Sequence, residues 1–284
     1  AVGSAGMPEA PESGSEQPWI AATLTSMVAV GAAVEIAEEA TAEITRNRLH
    51  HGRASGGFVR GASPEVRFVA NTITHNKLAG VELKQDARAQ LVGNTLTDGL
   101  GSGIYVHSGA APVLSHNTLS RNALAGLELK GSGRAVVSGN HFEGNGGSGI
   151  YAHAQARAVA VGNTVTKHSK AGVKAGAGTR LELIDNVVEA NGEAGIFLFE
   201  GAQGLLLGNL IRRNAFAGLE VRERADPEVR GNVIEANKGS GIYVHHAGRG
   251  RYVGNRLVEN GGTPFRQVDA QVIQDENNGP TVQP

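Results

Sequence analysis

A single parallel β-helix, an all-β solenoid with 23-residue rungs, is the fold this sequence predicts. Three observations carry the prediction. An asparagine returns every 23 residues at Asn71, Asn94, Asn117, Asn140, Asn163, Asn186, Asn209, Asn232 and Asn255. A glycine keeps the same period at Gly57, Gly80, Gly103, Gly126, Gly149, Gly172, Gly195, Gly218 and Gly241. Short alternating runs follow most of these glycines, as in Ile104-Tyr105-Val106-His107 and Leu127-Glu128-Leu129-Lys130. A fixed period marks a solenoid. Alternation is a strand signal, and the period is too short for two helices with their turns. Gly and Asn provide the turns.

Stacked rungs lie roughly 4.8 Å apart, so equivalent residues sit directly over one another. That explains the repeated asparagine. An inward amide donates to the rung on one side and accepts from the rung on the other. Asn47 belongs to the series with a one-residue displacement. A second, partial series runs through Asn76, Asn122, Asn145, Asn191, Asn214, Asn237 and Asn260, interrupted at Gly99 and His168. An apolar residue two positions after each marker, from Ile73 to Leu257, is expected to fill the core.

Taken in order, residues 1–18 are rich in Ala, Gly, Ser, Pro and Glu and read as a flexible leader. Residues 19–33, with Trp19 and the apolar run Ile20 to Val30, read as an N-terminal cap or irregular first rung, because an open solenoid end needs cover. Residues 34–262 read as the β-helix itself, regular from Gly57 to Asn260. An extra residue between Asn47 and Gly57 predicts a bulge near His50-His51-Gly52. The two histidines lack a third metal ligand nearby and read as a surface turn. Residues 263–284 read as a degenerate last rung and tail, with Pro264 at the glycine position and Asn278 on the 23-residue count.

Among 284 residues the net charge is −1, which argues against a general nucleic-acid binder. No run of about 20 apolar residues exists to form a transmembrane segment. No cysteine is present, so disulfides, thiolate metal sites and a cysteine nucleophile are excluded. The expectation is a bacterial periplasmic or secreted protein, with no cofactor.

The outward strand positions carry a second period of 46 residues. Alternate rungs read Tyr105/His107, Tyr151/His153, Phe197/Phe199 and Tyr243/His245. The intervening rungs read Glu82/Lys84, Glu128/Lys130, Lys174/Gly176 and Glu220/Arg222. Strand alternation places both members of each pair outside. One reading is duplication of a two-rung unit with solubilising side chains. The other is an elongated binding face, with tyrosines roughly 9.6 Å apart by strand spacing. That distance is near a disaccharide unit or three extended peptide residues.

Over about Val34 to Asn260 the chain resembles the right-handed parallel β-helix repeat superfamily, the carbohydrate-binding and sugar-hydrolase repeat. Its alternating pair, Phe216-Ala217-Gly218-Leu219-Glu220-Val221 with Asp226 to Asn232, then Gly241-Ile242-Tyr243-Val244-His245 with Gly248-Arg249-Gly250, is similar to the β-helix of F-box substrate receptors. NosD-like bacterial proteins share the general repeat. The resemblance implies a right-handed coil. No F-box is recognisable here, so a ubiquitin-ligase role does not carry over.

Enzymes of this fold include pectate lyases, polygalacturonases, alginate lyases and mannuronan epimerases. Their acidic clusters have no counterpart here, since Asp86, Asp98, Asp185, Asp226, Asp269 and Asp275 are scattered. Strict spacing also leaves no room for the long insertions that wall a cleft and exclude water. The best catalytic arrangement is Tyr151 and His153 with Glu128 and Lys130, yet such residues recur along the solenoid. The reading is therefore a non-catalytic binding or scaffold protein. Tyr105, His107, Tyr151, His153, Phe197, Phe199, Tyr243 and His245 form its face toward a polysaccharide or extended protein segment. A lyase or epimerase acting on an acidic polysaccharide, and an architectural subunit of a larger assembly, are the alternatives.

Overall fold

The computed structural model describes residues 20–22, 31–37, 40–61 and 65–277. Its strands stack into three parallel sheets, each taking every third strand in chain order once the first full rung is reached. Sheet 1 runs over 12 strands from Ile20–Ala22 to Gln271–Asp275. Sheet 2 runs over 10 strands from Arg48–His50 to Arg256–Val258. Sheet 3 runs over 11 strands from Val34–Ile36 to Phe265–Val268. No helix is present among the described residues.

The inward positions form a continuous apolar column. Ile73, Leu96, Leu119, Phe142, Val165, Val188, Ile211, Ile234 and Leu257 are each at most 1% exposed. Near the C-terminal end Tyr252 enters the core where Val229 stands one rung earlier, and its hydroxyl donates to the Arg249 carbonyl at 2.8 Å. A polar ring can be buried there because its one donor is satisfied.

The asparagine ladder forms as the period predicts. Each backbone N–H donates to the next asparagine, as Asn140 does to Asn163 Oδ1 at 2.8 Å. Each Nδ2 donates to that same oxygen and to a carbonyl of the preceding rung, as Asn163 does to Asn186 Oδ1 at 2.9 Å and Val137 O at 3.0 Å. The residue before each marker turns the chain with positive φ: Gly139 at 61°, Gly162 at 62°, but also Ala70 at 54° and His116 at 54°. The marker is thus an inward amide following a left-handed corner.

Three register expectations need correction. The extra residue does not lie near His50-His51-Gly52. Gly57 to Arg60 pair with Val81 to Lys84 at an offset of 24, whereas Arg67 pairs with Gln90 at an offset of 23. The insertion therefore falls between Arg60 and Arg67. Gly56, not Gly57, occupies the glycine column, and Gly57 takes the place of Val81, with the Phe68 ring filling the space a Cβ would need. At the other end Asn277, not Asn278, continues the ladder, accepting from Asn255 Nδ2 at 2.8 Å. One residue is lost there, since His245 pairs with Val268 but Arg249 with Gln271. A marker count cannot place an insertion within a turn; strand pairing can.

Before the first full rung, Ile20–Ala22 pairs with Ala42–Ile44. Trp19, residues 1–18 and 23–30 of the expected leader and cap, and Asn278 lie outside the described residues. In the turn after Arg48–His50, His51 stacks on His75 with ring centroids 4.9 Å apart.

Candidate functional site

The candidate face is the outer side of sheet 3. Its strands are in register, so Glu82, Tyr105, Glu128, Tyr151, Lys174, Phe197, Glu220, Tyr243 and Arg266 form one file, each opposite the next. Two residues further along each aromatic strand stands a second ring. It folds back onto the first: Tyr105 on His107 at 4.5 Å, Tyr151 on His153 at 4.5 Å, Phe197 on Phe199 at 5.0 Å and Tyr243 on His245 at 4.1 Å between centroids. All eight expected residues therefore come together as four stacked pairs.

Each histidine also reaches back one rung to a carboxylate. His107 Nε2 lies 3.2 Å from Glu82, His153 3.2 Å from Glu128, and His245 3.1 Å from Glu220. Ser55 donates to Glu82 at 3.0 Å and Ser102 to Glu128 at 2.8 Å. Three copies of one Glu–His–Tyr unit result. In the third, His245 is buried under Tyr243 and acts as a strut.

The fourth pair follows different packing. The Phe199 ring covers Gly176, where a Cβ would meet it at 2.4 Å, so a side chain there would have to push the ring aside. Lys174 replaces glutamate between Tyr151 and Phe197. Its ammonium lies 5.5 Å from the Tyr151 centroid, 5.8 Å from Phe197 and 5.3 Å from Phe199. A cation among three ring faces is favourable by about 0.5–2 kcal/mol.

Burial raises the pKa of Tyr105, aided by Glu128 and Glu82. Burial likewise raises Tyr151, aided by Glu128 and Glu200. Both phenols stay protonated at neutral pH, so each hydroxyl has a proton to offer a bound ligand. The imidazoles beside them are already engaged by carboxylates. The arrangement offers stacking surface and donors more readily than a free base.

The sequence reading missed the rim. The turn between sheets 2 and 3 alternates Leu78, Gly101, Leu124 and Gly147, so Gly101 and Gly147 each stand four residues before a tyrosine. Leu78 and Leu124 are each 53% exposed and form ridges, while the glycines leave notches. At Gly147 the notch opens into a hollow of about 330 Å³, lined also by Leu124, Glu128, Tyr151, Lys170, Lys174 and Glu193. Lys170 and Glu193 close one side with an ion pair of 3.1 Å. The 46-residue alternation of this turn was available as a signal.

The family model for the right handed beta helix region matches residues 32–188 and 125–278. Among solved structures, a variant of the periplasmic alginate epimerase AlgG is similar with a TM-score of 0.68 at 14% identity, over 84% of this chain and 76% of that one. The A-module of the Azotobacter vinelandii mannuronan C-5 epimerase AlgE4 gives 0.50 at 15% identity, over 94% and 90%. The receptor binding domain of the siphovirus 9NA tailspike gives 0.51 at 9% identity, over 94% and 74%. At these identities the likeness is one of fold. No curated protein matches in sequence.

Proposed function

The chain belongs to the right-handed β-helix family, and we propose that the sheet 3 face holds a polysaccharide strand, without chemistry, along the solenoid axis. The observation that carries this reading is the continuous file of rings and charges from Glu82 to Arg266, with stacked aromatic pairs at every second rung. Ring faces suit the apolar faces of sugars, and the protonated phenols and flanking charges suit their hydroxyls. Repetition of the unit favours binding over catalysis, which needs one singular site. The alginate and mannuronan epimerases among the structural neighbours make carbohydrate the partner to test first. The periplasmic neighbour supports a periplasmic or extracellular place for this chain. Among the described residues no helix is long and apolar enough to cross a membrane.

Native affinity electrophoresis through gels holding neutral or acidic polysaccharides tests the reading. Retardation by one polymer, lost in a Tyr151→Ala plus Tyr243→Ala variant, supports it. Unchanged retardation of that variant leaves the face as scaffold. A second reading, an epimerase or lyase, draws on Lys170 and Lys174 beside Tyr151 in the hollow, where they suit a uronate carboxylate. Proton exchange at C5 of a retarding polyuronate, or appearance of unsaturated ends, would favour it. Absence of retardation by every polymer shifts the partner to a protein segment or larger assembly.

A further inference from the structure

Sheet 1, on a different side of the solenoid, carries its own linear feature. Arg134, Arg157 and Arg180 are direct cross-strand partners on successive rungs. Strand register extends the file through Ala111 to Arg88. All four arginines are exposed. Among the described residues, none of the four makes an ion pair. They border a groove of about 480 Å³, in which Glu182 is the one carboxylate. The groove floor is apolar: Val113 is 43% exposed and Val136 47%, with Val159 next in line.

Like charges directly opposite one another destabilise a sheet. Elsewhere this chain pairs its charges across rungs, as Arg212 does with Glu189 at 2.7 Å. Arg134, Arg157 and Arg180 have no acid directly opposite on either adjacent rung, and the file is bounded by acids, with Glu65 opposite Arg88 and Asp226 two rungs after Arg180. It is a positive strip of defined length, complementary to an external anion.

We propose that this groove binds a carboxylated polysaccharide, with one uronate carboxylate presented to each arginine. The site is separate from the sheet 3 face and does not rest on its function. Successive rungs place arginines roughly 4.8 Å apart. That is half the disaccharide length and matches a chain carrying one carboxylate per sugar. Arg88 to Arg180 spans four rung steps, roughly 19 Å, room for about five sugars. Arginine takes carboxylates with paired parallel hydrogen bonds, and the valine floor receives the C–H face of the ring. Single-stranded nucleic acid fits less well, because it needs aromatic stacking platforms and the groove lining has none.

The experiment uses the full chain in affinity gels containing polygalacturonate, with dextran and a single-stranded DNA as parallel probes. The expected result is retardation by polygalacturonate at low salt, relieved by high salt. A triple variant, Arg134→Ala, Arg157→Ala and Arg180→Ala, should weaken it at least tenfold with a thermal midpoint that does not fall, since like charges opposite one another are removed. Arg157→Glu alone should weaken it more than Arg157→Ala. Polygalacturonase-trimmed oligomers should compete with rising strength up to about five sugars and then level off. Undiminished retardation of the triple variant, no retardation of the wild type, or tighter binding of the DNA would each overturn the proposal. The Tyr151→Ala plus Tyr243→Ala variant separates the two faces, since it should leave this interaction intact.

Discussion

His168 Nδ1 accepts the backbone N–H of Asn145 at 3.1 Å, the role that Asn145 Oδ1 plays for Asn122 one rung earlier at 2.9 Å. The histidine was expected to interrupt the second ladder. Instead its ring replaces the amide, and the backbone N–H of His168 donates to Asn191 Oδ1 at 3.1 Å. The substitution is imperfect, because the buried Nε2 has no hydrogen-bond partner.

Burial lowers the His168 pKa to about 4, against the opposing pull of the Phe142 carbonyl. The folded state keeps the ring neutral, while the unfolded chain takes up a proton below the ordinary value of 6.5. Stability from this site is full above pH 6.5, falls as pH drops toward 4, and is then constant. The loss amounts to about 3 kcal/mol. A His168→Asn variant should restore the ladder and remove that share of the acid sensitivity. Urea unfolding of both proteins at pH 7, 5.5 and 4 checks this: the gap between them should widen with acid.

Asn163 sits in the middle of the main ladder. Asn163→Ala strips the acceptor from the Asn140 backbone N–H and amide, and the donor from Val137 O. Each buried group left unpaired costs about 1–3 kcal/mol. A fall of at least 2 kcal/mol in unfolding free energy, about the lower end for two such groups, is expected. Asn163→Asp should fare no better at pH 7, since a carboxylate accepts but cannot donate.

Ala70 adopts φ of 54° at a corner where other rungs carry glycine, and it is exposed. Left-handed backbone costs a Cβ-bearing residue roughly 1–2 kcal/mol. Ala70→Gly should raise the thermal midpoint, with part of the gain offset by a more flexible unfolded chain.

The two glycine columns should respond differently to alanine. At Gly149 a Cβ would meet Val165 at 2.4 Å and the Gly172 carbonyl at 2.9 Å. At Gly162 it meets nothing within 4 Å and suffers only from φ of 62°. Gly149→Ala should therefore destabilise more than Gly162→Ala, whose cost is about 1 kcal/mol. Parallel denaturant titrations decide.

A repeated face and a singular site also predict different mutational profiles. If sheet 3 binds along its length, Tyr105→Ala and Tyr151→Ala should each reduce polysaccharide affinity by similar modest factors, roughly 0.5–1.5 kcal/mol each. Complete loss at Tyr151 with no effect at Tyr105 would place function in the hollow beside Lys174 instead.

By itself the sequence determined the solenoid, its ladder, its core column and the pairing of Tyr105 with Glu128 across rungs. Stacking makes this possible: when every rung has one length, a position in the repeat is also a position in space. That logic fails within the turns. The insertion between Arg60 and Arg67, and the residue lost before Gln271, could be placed only by strand pairing. It fails again for side chains that lean. Only the tertiary structure showed that His107 folds onto Tyr105 and reaches Glu82, that Phe199 covers Gly176, and that Leu124 and Gly147 shape a hollow beside Tyr151. The arginines of sheet 1 lie in plain sight at a 23-residue interval. What singles out Arg134, Arg157 and Arg180 is that they face one another across the sheet and, among the described residues, form no ion pair, and that depends on which neighbours the fold places within a few ångströms.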